Sequence, residues 1–353
     1  MVRLHTLRID PPLLNSSCAW ASDLEQLREL YECPSTGAVT TRTATLDGFE
    51  EGPGIGVVFT TDGLSTLNTY GYSPHPLGTY LEWIYALLTA PASPTRPHRK
   101  PFILSITSAL PAELTTMLTQ IQALRSRLRA ALARDGAMNG YADAEDDPAA
   151  LLAVELNTSC PNIPGKPPPS YALHTLAPLL AVLGAFARAD LSLALGLKLP
   201  PYPDPSAATG IVACLHEFTY TSAGEGPLSP FAFLTCTNTL GSSLLFASQV
   251  QSEFEPTSPT AALAPALPPG LGGLGGALIH PLALGTVFAL SRALAAHPSA
   301  AVRNVGIIGV GGVLDAPGAR RMRAAGATAV ACATALGARG VGVFAEIRPG
   351  VEG

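Results

Sequence analysis

The sequence predicts an α/β protein: a single-domain (β/α)8 barrel of the TIM type with surface insertions, spanning residues 1–353. Three observations predict it. Eight short apolar runs recur along the chain, helix-length segments separate most of them, and amides, glycines or basic groups follow the runs. Alternation of this kind builds a parallel sheet, eight strands close it, and a closed barrel brings the carboxyl ends of its strands to one face.

Strands are expected at 37–41, 66–69, 102–107, 151–156, 192–197, 231–235, 304–308 and 328–332, each a short apolar or β-branched run. Helices are expected at 76–88, 111–134, 170–188, 205–217, 281–296 and 315–325, each opening on a Pro, Ser or Asp that suits a helix start. Two segments break the alternation. Residues 135–150 are polar and acidic, and 249–270 are rich in Pro, Ser and Ala, so both are expected to be surface insertions in one domain.

Composition narrows the function. With 21 basic residues against 26 acidic ones and a net charge of -5, the chain has no broad cationic footprint, and nucleic acid is not an expected partner. The greasiest stretches, 176–195 and 261–290, are interrupted by Arg188 and Asp190 in one and by Gly, Pro and His280 in the other, so no membrane span is expected. The first ten residues lack the apolar core of a leader, and a cytoplasmic enzyme is the expectation. Cys18, Cys33, Cys160, Cys214, Cys236 and Cys332 lie apart, with no Cys-x-x-Cys pair and no clustered histidines, so neither a metal site nor a disulfide framework is expected.

Residues 157–167, Asn-Thr-Ser-Cys-Pro-Asn-Ile-Pro-Gly-Lys-Pro, are the segment richest in chemistry, combining amides, a hydroxyl, a thiol and an ammonium in a proline-stiffened loop after a strand. An ordinary cysteine is mostly protonated at neutral pH. A reactive thiolate at Cys160 would need company, and the adjacent Ser159 and a closed polar pocket are the candidates. Other strand ends carry Arg42, Asn68, Ser105, Lys198, Asn238, and Ala333 with Thr334. Four asparagines, Asn68, Asn157, Asn162 and Asn238, on converging loops suit a small planar ligand with both donors and acceptors, although each alone is equally a turn former.

Gly309, Gly311 and Gly312 precede a helix start near Asp315, at the place after the seventh strand where barrels often hold a phosphate. The spacing is neither Gly-x-Gly-x-x-Gly after a first strand nor a nucleotide P-loop. A second cluster, Gly272, Gly273, Gly275 and Gly276, reads first as a flexible joint and second as a place of close backbone approach to a ring or phosphate.

Taken together, the runs 154–167 and 196–202, the Thr237-Asn238-Thr239 segment, the 272–276 glycines and the 309–312 turn resemble the class 1 dihydroorotate dehydrogenases. The resemblance is closest to the fumarate-using class 1A branch and extends from about residue 12 to residue 346. It implies a barrel that binds flavin mononucleotide (FMN) and oxidises (S)-dihydroorotate to orotate in pyrimidine biosynthesis. Fumarate is the implied acceptor, leaving as succinate, and a homodimer is the implied assembly. The resemblance implies that Cys160 takes the C5 proton while the hydride leaves C6 for the flavin, and that Lys198 contacts the flavin ring and steadies negative charge on it. Arg42, Asn68, Asn157, Asn162 and Asn238 are implied to bind the pyrimidine and its carboxylate. Ser17, Gly275, Gly276, Gly311, Gly312 and Thr334 are implied to hold the flavin, together with Arg42, Asn157 and Lys198.

The chain departs from the family pattern in places. Arg42 stands where the family usually has lysine, Cys18 and Ala333 where it has glycine, and residues 68–74 read Asn-Thr-Tyr-Gly-Tyr-Ser-Pro where Asn-Ser-Met-Gly-Leu-Pro-Asn is usual. Two alternatives therefore stay open: a flavin oxidoreductase acting on a related dihydropyrimidine or cyclic amide, and a non-catalytic paralogue. The chain carries no iron-sulfur spacing and no nicotinamide-binding motif, which favours fumarate as acceptor.

Overall fold

Parallel strands that are apolar on both faces need side chains packed inside the sheet and helices outside it, and this chain supplies both. The computed structural model describes residues 1–134, 147–163, 165, 168–221, 226–252 and 258–352. Eight parallel strands form one sheet: β1 (Leu13–Asn15), β2 (Val39–Thr40), β3 (Phe102–Ile106), β4 (Leu152–Asn157), β5 (Leu195–Leu199), β6 (Phe233–Cys236), β7 (Gly306–Val310) and β8 (Ala329–Cys332). Their hydrogen-bonded order is β1-β8-β7-β6-β5-β4-β3-β2, and a parallel bridge between Leu14 and Ala38 closes the ring into a TIM barrel. Because β2 is so short, Asn15 completes its pairing with a side chain: Nδ2 donates to Thr40 O at 2.6 Å and Oδ1 accepts from Thr40 N at 2.9 Å.

Alternate strand positions fill the interior. Leu14, Ile103, Ala153, Phe233, Ile308 and Ala331 belong to one buried cluster with Leu4, Leu7 and Ile9 of the N-terminal hairpin (Val2–Leu4 paired with Leu7–Ile9). The hairpin thus stoppers the amino-terminal end of the barrel, and each buried side chain of this size contributes roughly 2 kcal/mol. A Cβ on Gly196 would lie 2.1 Å from the Phe233 ring, so the missing side chain on β5 makes room for the aromatic on β6. Above that apolar plug the interior turns polar, with Ser105, Glu155, Asn157 and Lys198 all buried.

The longer helices are α1 (Leu24–Glu32), α2 (Leu77–Thr89), α3 (Pro111–Arg134), α4 (Ala177–Ala189), α5 (Ala207–Glu217), α6 (His280–Ala296) and α7 (Ala316–Ala324), and their inner faces form the outer shell of the core. All six expected helices are present, and α1 is one the reading did not anticipate. Its start is nonetheless written in the sequence as a capping box: Asp23 Oδ1 accepts from Gln26 N at 2.9 Å and Gln26 Oε1 accepts from Ser22 N at 2.8 Å. The stretch Ala277–Ala296 is long and apolar enough to cross a membrane by length and composition alone, in spite of His280, Pro281 and Gly285. In this fold it is a barrel helix, and its Ala283, Val287, Leu290 and Leu294 are buried in the shell.

The strand assignments need three corrections. The segment expected as a barrel strand at 66–69 is Ser65–Asn68, which pairs antiparallel with Val57–Phe59 and Gly272–Gly276 in a separate four-stranded sheet completed by Leu240–Ser243. The true first strand, β1, spans three residues behind Pro12 and is too short to show a period. The strand expected at 192–197 runs Leu195–Leu199, so Lys198 lies within β5 rather than beyond it.

The glycine cluster at 272–276 is not a flexible joint but a strand of that second sheet, mostly buried. Of the insertions, residues 135–146 lie outside the described residues. The described part of 249–270 folds back against the second sheet through the Thr60–Val250 bridge, and Val250 and Leu267 are buried with Leu67 and Leu245.

Candidate active site

The carboxyl ends of the strands and the second sheet line one cavity that opens to solvent. Every predicted site residue lines it: Ser17, Arg42, Asn68, Asn157, Cys160, Asn162, Lys198, Asn238, Gly275, Gly276, Gly311, Gly312 and Thr334. Convergence from strand ends so distant in sequence is what barrel closure provides. Asn68 arrives by a different route, from the second sheet, where its Nδ2 donates to Gly273 O at 3.0 Å.

The four amides form two pairs. Asn162 Nδ2 lies 3.0 Å from Asn68 Oδ1 and 2.9 Å from Tyr70 O, which ties the cysteine loop to the second sheet. Asn238 Nδ2 lies 3.4 Å from Asn157 Oδ1 and 3.1 Å from Ser159 Oγ. Asn157 is oriented from below by a hydrogen-bond chain that the sequence reading did not assemble. Ser105 Oγ donates to the buried Glu155 at 2.9 Å, so the Ser105 hydroxyl oxygen accepts from Thr43 Oγ1 at 3.0 Å. Thr43 Oγ1 in turn accepts from Asn157 Nδ2 at 2.9 Å and from Ser17 Oγ at 3.0 Å. With its N–H group committed to Thr43, Asn157 turns its carbonyl oxygen toward Ser159 and Asn238. Only the alternation of Ser105, Glu155 and Asn157 on neighbouring strands could have signalled this chain beforehand.

Cys160 is partly buried, and burial pushes its thiol up from the ordinary cysteine range; the Asn162 backbone N–H and the charges of Lys198 and Arg42 pull in the opposite direction. The Ser159 hydroxyl, expected to assist that thiol, is instead engaged by the Asn157 and Asn238 amides. Pro164, Lys166 and Pro167, the far side of the same loop, lie outside the described residues. Lys198 is 3% exposed, and its Nζ reaches only neutral oxygens, Ser16 Oγ at 3.1 Å and Ser17 O at 3.2 Å. Among the described residues no carboxylate pairs with it. A buried ammonium with neutral partners leaves electrostatic room for an anion in the cavity.

The glycine segments meet one another. A Cβ on Gly312, where φ is +66°, would lie 2.6 Å from Gly276 O, and one on Gly276, where φ is +82°, would lie 2.3 Å from Leu64 O. The two segments therefore pack backbone against backbone with no room for a side chain between them, and both line the cavity. His280 braces the turn from behind: Arg321 Nε donates to its Nε2 at 3.2 Å, so Nδ1 carries the proton and donates to Gly311 O at 2.7 Å. Beside the turn, Thr237 Oγ1 is buried with no hydrogen-bond partner among the described residues. A cradle of this kind, with an unpaired hydroxyl and a large cavity leading away from it, fits the phosphate and ring of a flavin mononucleotide.

The departures at Cys18 and Ala333 are tolerated by the backbone. Cys18 has φ -159° and Ala333 φ -131°, conformations open to any L residue, and neither position needs glycine. Burial raises the Cys18 thiol to about 11, so it lines the wall as a neutral group. In the altered 69–74 loop, Ser73 Oγ lies 2.8 Å from Tyr80 OH, and the Gly71 backbone runs close under the Phe49 ring. Tyr72 from this loop enters the cavity, where burial raises its phenol to about 12 with Cys160 nearby. Arg42 shows the largest difference from expectation: its Nη2 pairs with Glu51 Oε1 at 2.6 Å, and its guanidinium lies 5.1 Å from the Tyr70 ring centroid.

Comparison with known proteins follows the same line. The chain is similar to a protein of Streptococcus pneumoniae provisionally named dihydroorotate dehydrogenase A (fumarate), 28% identical over 338 residues that cover 96% of this chain and 87% of the relative. A similarly named protein of Streptococcus pyogenes shows the same identity and coverage. One of Streptococcus agalactiae is 26% identical over 351 residues, covering 98% of this chain and 92% of the relative. The family model described as dihydroorotate dehydrogenase matches residues 148–353, which include Cys160, Lys198, Asn238 and both glycine segments. On the barrel, on the cavity at its mouth and on that match, the chain belongs to the dihydroorotate dehydrogenase family of oxidoreductases.

Proposed function

We propose that the protein oxidises (S)-dihydroorotate to orotate with FMN as cofactor and fumarate as electron acceptor, serving pyrimidine biosynthesis in the cytoplasm as a homodimer. The single observation that carries the reading is the meeting of Cys160, four paired asparagines and an un-neutralised Lys198 in a cavity that ends in a glycine cradle. Bound there, the flavin would accept the hydride from dihydroorotate and hand the electrons to fumarate.

The chain's own residues do the rest. Asn68 with Asn162 on one side and Asn157 with Asn238 on the other retain donors and acceptors for the edges of a pyrimidine ring. Cys160 Sγ takes the C5 proton, a task that the nearby charges of Lys198 and Arg42 assist by favouring the thiolate. Lys198, fixed by its two oxygen partners, would steady negative charge on a flavin ring bound beside it. Gly276, Gly311, Gly312, Thr237 and Thr334, which line one end of the cavity, would hold the phosphate.

A second reading, oxidation of a neutral cyclic amide, draws on one observation: Arg42, the group assigned to the substrate carboxylate, is already paired with Glu51. Product analysis separates the two. FMN-loaded protein incubated with fumarate is expected to convert (S)-dihydroorotate into equal amounts of orotate and succinate, and to leave 5,6-dihydrouracil unchanged. Conversion of dihydrouracil with none of dihydroorotate would overturn the dihydroorotate reading.

A further inference from the structure

Arg42 and Lys198 are the two basic residues in the described lining of the cavity, and no acidic residue joins them there. They are held in different ways. Lys198 meets neutral oxygens, whereas Arg42 is 6% exposed and meets Glu51 at 2.6 Å, Ser22 Oγ at 3.3 Å and the face of Tyr70. Glu51 is about a third exposed and stands outside the lining, so it touches Arg42 without touching a ligand in the cavity.

We propose that Glu51 acts through Arg42, setting the preference for carboxylate-bearing ligands by pairing with its guanidinium. This rests on the dihydroorotate reading. A guanidinium already paired with a protein carboxylate presents a ligand carboxylate with an ion pair instead of a bare cation, and Glu51 repels the incoming charge across the same group. A ligand with the same ring and no carboxylate meets no such opposition. Glu51 therefore weakens anion binding selectively, while Ser22 and Tyr70 keep the guanidinium in place. The consequence for the reaction is release: both products, orotate and succinate, are carboxylates, and alternating half-reactions at one face need each product to leave before the next substrate enters. A full cation at Arg42 beside Lys198 would hold the product.

The test compares orotate with uracil, the same ring without the carboxylate, by titrating the flavin absorbance of FMN-loaded wild type, Glu51→Gln, Glu51→Asp and the double variant Glu51→Gln/Arg42→Gln. Glu51→Gln is expected to bind orotate about fivefold tighter or more, with uracil binding unchanged. Its orotate release, followed by displacement, is expected to slow by a similar factor. Glu51→Asp, which keeps the charge, is expected to stay near wild type, and the double variant is expected to lose the gain.

An unchanged orotate-to-uracil ratio in Glu51→Gln, or weaker orotate binding, would overturn the proposal and leave Glu51 a structural brace. If dihydroorotate fails to reduce the wild-type flavin and orotate fails to perturb it, the substrate reading falls and this inference falls with it. Normal reduction of the wild type confines any failure to Glu51.

Discussion

Arg125 at the amino-terminal end of the barrel and Lys198 at the carboxyl-terminal end are both buried cations, and their surroundings differ. Arg125 is fully buried, and its donors reach Gln122, Ala149 O, Leu152 O, Asp190 and Ser192, so charge and hydrogen-bonding capacity are both met within the protein. Lys198 has two neutral oxygens and a cavity. A saturated buried ion serves the fold, whereas an unsaturated one beside an opening is tolerable where a bound group completes it. The same contrast separates the interior below β4 and β5, filled by Phe233 and alanines, from the polar layer above it.

The largest expected effect that sharpens the contrast is at the mouth. Cys160→Ala is expected to slow flavin reduction by dihydroorotate by about 10²- to 10⁴-fold while leaving bound flavin and thermal stability near wild type, as stopped-flow absorbance and a melting curve would report. Next comes the cradle. Gly312→Val places a side chain against Gly276 O and His280, and the purified protein is expected to retain little flavin, read from its visible absorbance.

At the other end the sign is reversed. Arg125→Met leaves the Ala149 and Leu152 carbonyls without the buried guanidinium that donates to them and removes one partner of Asp190; it is expected to cost about 3 kcal/mol in denaturant unfolding, with flavin binding by the folded fraction unaffected. A mouth variant that destabilised the fold as much, or a floor variant that abolished flavin uptake, would break the comparison.

Two pH effects are smaller; they arise from pKa shifts of opposite sign, and both grow with pH. Burial holds the Cys160 thiol above the ordinary cysteine range, so the flavin reduction rate is expected to keep climbing with pH after an ordinary cysteine would have finished ionising. For Asp190, burial opposes the charged form, but hydrogen bonds from Ser192 and the charge of Arg125 outweigh it and lower the carboxyl from 3.8 to about 2. Its contribution is therefore complete above about pH 4 and lost as pH falls toward 2. In Asp190→Asn this acid-linked loss should be absent from melting curves taken between those limits.

The residues that carry chemistry were more legible in the sequence than the frame that holds them. Asn157, Cys160, Asn162 and Lys198 stand in motifs whose residue types are rare together, and all of them reach the cavity. The frame was harder because its cues are short or indirect. β1 has three residues and β2 two, below the length at which a period shows, and Asn15 replaces ladder bonds with its side chain. Ser65–Asn68 is extended and largely buried like a barrel strand although Leu67 is its one apolar residue, and its antiparallel partners decide where it belongs. The Gly276–Gly312 approach and the Arg42–Glu51 pair are contacts between distant or loop segments, and no local pattern encodes them.

Anaerobic mixing of the FMN-loaded protein with (S)-dihydroorotate, followed by fumarate, beside Cys160→Ser, tests the central claim most directly. The account predicts rapid loss of the oxidised flavin band, its return on adding fumarate, and a much slower first phase in the variant. A wild-type flavin that stays oxidised in excess dihydroorotate would contradict it.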